Sequence, residues 1–133
     1  MRTKPALTIA DAHKIMAACK AEAQKNTWNV TIAIVDEAGY PLLLERMDGC
    51  GSISGDVAIA KARTSAVSGR PTKFFEDMVK SRPAFVTFPS PGVLIQGGLP
   101  LIVEGNCVGA IGVSGVQSQQ DEQIAQAGVA VLG

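Results

Sequence analysis

Three short stretches of this chain gather the residue types that bind small anions. Glu45, Arg46 and Asp48 crowd the end of one apolar run, Lys61 and Arg63 interrupt an alanine-rich stretch, and Gly97-Gly98 precedes Leu99-Pro100. A charged side chain that leaves water needs a partner. A lysine at position 61 therefore points either to a structural ion-pair network or to a bound carboxylate. Consecutive glycines let backbone N–H groups converge on an anion. Lys61 and Arg63 are two apart and point about 200° apart on a helix, so one pocket can take only one of them. Lys61 is the pocket candidate, because Arg63 falls on the side of Asp56. The expectation is one concave anion site built by Glu45, Arg46, Asp48, Lys61, Gly97 and Gly98, open to completion by a neighbouring subunit. Lys61→Ala is then expected to abolish binding of a carboxylate.

No familiar catalytic machine accompanies these residues. The chain has no G-x-S-x-G, no P-loop, no GxGxxG after a strand and no H-E-x-x-H. Its single histidine, His13, would have to serve any Ser-His-Asp triad, and no nucleophile stands out. Asp121 and Glu122 open a helical segment, where the dipole favours them, and are read as terminal charges rather than metal ligands. The three cysteines, Cys19, Cys50 and Cys107, are widely spaced without a C-x-x-C, so neither a zinc site nor a disulfide framework is expected. Cys19 and Cys107 are read as packing residues. No metal site is expected.

The elements that must position these residues follow from periodicity. Thr8 caps a first helix, with Asp11 as its capping-box partner and Ile9, Ala12, Met16, Cys19 and Ala23 as its apolar stripe, ending at Asn26-Thr27. Residues 30–35 are β-branched and apolar, a central strand. The turn at 36–39 returns the chain as a second strand over 40–46. A helix over 54–68 carries weakly apolar residues on two opposite sides and needs two partners, a sheet and either another layer or another subunit. Thr72 caps a short helix to about residue 80, and prolines 83, 89 and 91 bar regular helix from 81 to 91. Strands over 101–103 and 107–113 flank a tight turn, with room for a fifth strand at 93–96. Ser118 caps a last helix. The order α-β-β-α-α-β-β-α, with tight turns joining neighbouring strands, makes an antiparallel sheet with helices packed on it: the α+β class in a single domain over residues 1–133.

Composition bounds the partners. Twelve basic residues balance twelve acidic ones and no basic run occurs, so neither nucleic acid nor an anionic membrane surface is expected. Apolar runs fall short of a membrane span, and the amino terminus has no apolar leader, which points to a reducing cytoplasm. Only 18% of residues are charged against 47% hydrophobic. Average chains carry about 25% charged residues, so part of this surface is expected to be hidden in an even-numbered homo-oligomer. A charge at Ala62 or Ala66 is expected to break that assembly.

Segments 29–36 with Gly39, 44–49, 59–64, 97–100, 109–115 and 120–128, in this order, resemble the GlcG/HbpS-like family, which includes the C-terminal domain of the PduO corrinoid adenosyltransferases. The resemblance covers nearly the whole chain. It implies a profilin-like fold of four to five antiparallel strands, higher-order homo-oligomers and, by analogy with several relatives, haem binding. Many relatives place a histidine just after the turn glycine, where this chain has Tyr40. By residue type His13, Tyr40 and Met47 are then the candidate haem ligands. The alternative for His13 is a boundary side chain with a wet tip, for Tyr40 a strand-edge aromatic, and for Met47 a core residue. A bis-histidine site could arise only across a symmetry axis. Three functions compete: a haem or tetrapyrrole binder, an enzyme or accessory subunit handling a small hydroxy- or keto-carboxylate, and an assembly module without a ligand.

Overall fold

The β-branched run after the first helix becomes the centre of the fold. The structure, a computed structural model, describes residues 1–132. Helix α1 (Ile9–Lys25) leads into the hairpin β1 (Thr31–Asp36) and β2 (Pro41–Arg46). Helices α2 (Ser54–Ser68) and α3 (Thr72–Ser81) follow, then a 3-10 turn (Pro83–Thr87). The second hairpin, β3 (Gly98–Val103) and β4 (Asn106–Ser114), precedes helix α4 (Ser118–Val129). The four strands form one antiparallel sheet in the order β2-β1-β4-β3. The α+β reading stands. Among the described residues, 93–96 add no fifth strand.

The two faces of the sheet are packed differently. On one, α1 and α4 bury large side chains: Ile15, Met16 and Ile124 against Ile32, Ile34, Ile111 and Val113. Thr8 and Asp11 form the expected capping box. The buried stripe of α1 includes Ile15, whereas Ile9 is 53% exposed, because the stripe is set by the turns that face α4 rather than by the first turn. On the other face α2 packs almost without side chains. Ala58, Ala62 and Ala66 meet Ala33, Val35 and Ala110, and a Cβ on Gly112 would run into the Ala58 carbonyl.

The second partner of α2 is the chain's own proline-rich segment. Gly92 lies directly on the Ala60 carbonyl, Val93 N–H donates to Ala60 O at 3.4 Å, and Thr64 and Ser90 share a hydrogen bond of 2.5 Å. Ala62 and Ala66 are 0% and 4% exposed within one chain. A charge at either position would therefore strike the core rather than a subunit interface, which corrects the expectation above. Two caps also move. Thr72 is the first helical residue of α3, behind Pro71, and its hydroxyl is held by Gly98. Gln117, not Ser118, caps α4, exchanging hydrogen bonds with Gln120.

Candidate functional site

Lys61 lies mid-way along α2 on the side that meets β4. Its Nζ donates to Val113 O at 2.9 Å and to Asp121 Oδ2 at 3.0 Å. Both side chains are 3% exposed. Asp121 Oδ1 accepts from Val116 N–H at 3.2 Å, so one carboxylate ties the start of α4 to α2 and to the loop after β4. Burial pushes the Asp121 carboxyl above the usual carboxylate range, and the neighbouring ammonium opposes that shift without cancelling it.

Gly97 and Gly98 close this site. Gly97 has φ +132°, and a Cβ there would stand 2.7 Å from Lys61 Nζ and 2.9 Å from Val113 O. Its carbonyl accepts from Val113 N–H at 3.1 Å. The Gly98 N–H donates to Thr72 Oγ1 at 2.8 Å, and a Cβ on Gly98 would crowd Lys61 O at 2.6 Å. Lys61 and the glycine pair thus meet, as their types implied, but as neighbours in a closed contact. Asp121 takes the lysine charge and Thr72 takes the Gly98 donor.

Glu45, Arg46 and Asp48 are elsewhere. β2 and β3 are the two outer strands of the sheet. Strands lie about 4.8 Å apart, so some 14 Å of sheet separates them. The single convergent site is therefore two separate places within one chain, because β1 and β4 fill the space between. Glu45 pairs with Lys20 of α1 at 3.2 Å. Together with Gln24, Asn29, Arg46, Met47 and Asp48 they line an open polar groove of about 440 Å³. Arg46 and Asp48 are both exposed there.

Lys61 and Arg63 do diverge. Gly39 lies against Arg63, with a Cβ on the glycine 3.3 Å from Arg63 Cγ, and the guanidinium sits 5.2 Å from the Tyr40 ring centroid. Arg63 thus meets the β1–β2 turn rather than Asp56. Tyr40 is 60% exposed at the edge of the sheet. Met47 packs half-buried against the larger core, with its N–H donating to Val30 O at 3.0 Å. His13 is exposed on α1, with the exposed Ile9 one turn before it.

The thiols are packing groups for the most part. Cys19 is fully buried and its thiol is pushed up to about 12 by desolvation. Burial also raises Cys107, whose Sγ lies 3.3 Å from Ala66 O. Cys50 is half-buried, 3.0 Å from Ser54 Oγ. Among the described residues no group of three or more His, Cys, Asp or Glu side chains could hold a metal ion, and no helix is long and apolar enough to cross a membrane.

Sequence reasoning missed Asp121. It was legible as a helix-terminal charge, and that role hides the deeper one. The available signal was Lys61 itself: a lysine beside the sheet-facing alanines of α2 calls for a carboxylate, and Asp121 sits in the first turn of the helix that follows the strand α2 covers.

Comparison with known proteins places this architecture. GlcG of Escherichia coli K12 is 47% identical over 115 residues, 86% of this chain and 85% of GlcG. The crystal structure of a double mutant of Streptomyces reticuli HbpS superposes with a TM-score of 0.90 at 35% identity, covering 100% of this chain and 91% of that one. The crystal structure of a PduOC–haem complex does so with a TM-score of 0.88 at 28% identity, covering 97% of this chain and 96% of that one. The family model for haem degrading protein HbpS-like matches residues 7–130, and this chain belongs to that family.

Proposed function

We propose that this chain binds haem or a related tetrapyrrole, with His13 as the axial ligand, in an assembly of an even number of copies in the cytoplasm. The observation that carries the reading is the placement of the chain's one histidine: exposed on α1, with Ile9 exposed one turn away. Membership of the family and the haem complex of the PduOC relative support it. Bound haem would supply an iron with a tetrapyrrole face. This chain would supply an imidazole and an apolar contact, and a second copy would cover the opposite face. Tyr40 is a weaker ligand candidate because its ring is engaged by Arg63, and Met47 because it packs on the core.

A haem titration followed at the Soret band tests this. The expected result is a saturable shift at micromolar haem that is lost in His13→Ala and kept in Tyr40→Phe. No shift, or a shift indifferent to His13, overturns it.

A second reading keeps a small hydroxy- or keto-carboxylate as the ligand. Lys61 is neutralised by Asp121, so the cation for such a ligand would be Arg46 in the groove beside Lys20 and Asp48. A thermal-shift panel of small carboxylates on the haem-free chain separates the two: stabilisation lost in Arg46→Ala supports this reading, and none removes it. Failure of both titrations leaves the third function, an assembly module.

A further inference from the structure

All four phenylalanines of the chain lie between positions 74 and 88, and none joins the two apolar layers on the sheet. They form a separate cluster. The Phe75 and Phe88 rings are 4.8 Å apart, and Phe85 and Phe88 stack at 5.3 Å. Arg70 covers Phe74 at 4.3 Å from its centroid. Within α3 Thr72 and Phe75 are buried and Phe74, Met78 and Val79 are half-buried, so this amphipathic helix rests on the body of the protein by one turn and leaves its other apolar side chains partly in solvent.

Beside it runs an apolar groove of about 520 Å³. Val79, Val93 and Leu94 are half-buried in it, while Val86 and Ile95 stand up along it, 66% and 43% exposed. Ridge and hollow occur on one surface, so the surface can fit a copy of itself. The charges agree with that fit. Glu76 and Lys80, also lining the groove, are one turn apart on α3. If two α3 helices cross antiparallel about a two-fold axis near position 78, each Glu76 faces the other copy's Lys80. An isologous interface has this reciprocity, in which one residue meets a second and the second meets the first.

We infer that the α3 groove is the docking surface for a second copy of this chain, with each Val86 ridge seated in the other's groove and Glu76 paired with Lys80 across the axis. The occupant deepens the self-association proposed above and rests on it. The resulting pair is the unit from which an even-numbered assembly is built.

Light scattering of the haem-free chain at micromolar concentration tests this. Wild type is expected to be assembled. Val86→Asp should weaken the pair by roughly a hundredfold, since it buries an unpaired charge. Its thermal midpoint as a monomer should be retained, because Val86 is mostly exposed within one chain. Glu76→Lys and Lys80→Glu should each weaken association, and the double swap should restore it. An assembled Val86→Asp variant overturns the surface while leaving self-association intact. A double swap no better than the single ones overturns the antiparallel pairing. A monomeric wild type overturns the surface and the self-association together.

Discussion

Replacing Lys61 by Met keeps much of the side chain's length and removes its charge, leaving the buried Asp121 carboxylate with Val116 N–H as the remaining donor to its side chain. The magnitude follows from the geometry. The two charges are 3.0 Å apart and both side chains are 3% exposed. At an effective dielectric of about 20 their attraction is roughly 5 kcal/mol. Breaking one side of such a pair costs about 3–5 kcal/mol, because the other charge stays buried without compensation. Single domains are stable by about 5–15 kcal/mol, so Lys61→Met should consume a large part of the total. Urea unfolding followed by the fluorescence of Trp28, which packs on the larger core, measures it. The midpoint should fall with an unchanged slope. Replacing both partners by Lys61→Met with Asp121→Leu should recover most of the loss, since a well-packed apolar pair is often neutral or better. A loss below about 1 kcal/mol in Lys61→Met would refute the claim that this contact anchors α4 to α2.

The same carboxyl predicts a pH dependence. Its pKa is raised in the native state by burial, so folded chain holds this proton more tightly than unfolded chain. Its contribution to stability therefore grows as pH falls from the native midpoint to the ordinary value of 3.8. Lys61→Met removes the ammonium that opposes this shift, so the Asp121 pKa rises further and the variant's deficit against wild type should be smaller at about pH 4 than at about pH 7; an equal deficit at both contradicts the coupling of the two groups. Gly97→Ala should lose about 2–4 kcal/mol in the urea assay, because the new Cβ meets both a positive φ and the Lys61 ammonium; a change within about 0.5 kcal/mol would show that the glycine is dispensable. Ala62→Asp should lower the helical circular dichroism signal and unfold the chain rather than release folded monomers, and a folded monomer would return Ala62 to an interface. A variant retaining only Cys19, with serine at 50 and 107, should stay unreactive to a thiol reagent at about pH 8 until it is unfolded.

The regular elements were legible because each carries a local signal. Residues 54–68 were bounded correctly by composition and the stop at Gly69, whose φ of +72° is the left-handed cap that glycine permits. Thr8 announced α1 through its capping box with Asp11. The site was legible only in part. That Lys61 must sit beside Gly97 could be guessed from residue type, but strand order was needed to see that Glu45, Arg46 and Asp48 lie on the far edge. Two hairpins in sequence do not dictate whether β2 or β1 borders β4, and here β1 does. Asp121 was hidden because its local role as a helix-terminal charge already explained it. The partner of the outer side of α2 was hidden because the 90–93 segment has no periodicity to read, only a glycine whose contact with Ala60 exists in three dimensions.

The alanine layer beneath α2 has a mechanical meaning. Large side chains between a helix and a sheet act as a compliant layer, since they can change rotamer and absorb a displacement. Alanine has no rotamer to change, and Gly112 brings the backbones of α2 and β4 against each other. The helix is therefore coupled stiffly to the sheet, and α2 moves as a rod. Arg63 at the Tyr40 turn and Lys61 at Gly97 sit on opposite flanks of that rod. Under this packing a load at the exposed Tyr40 turn would be carried by backbone contacts rather than by rearrangement of side chains.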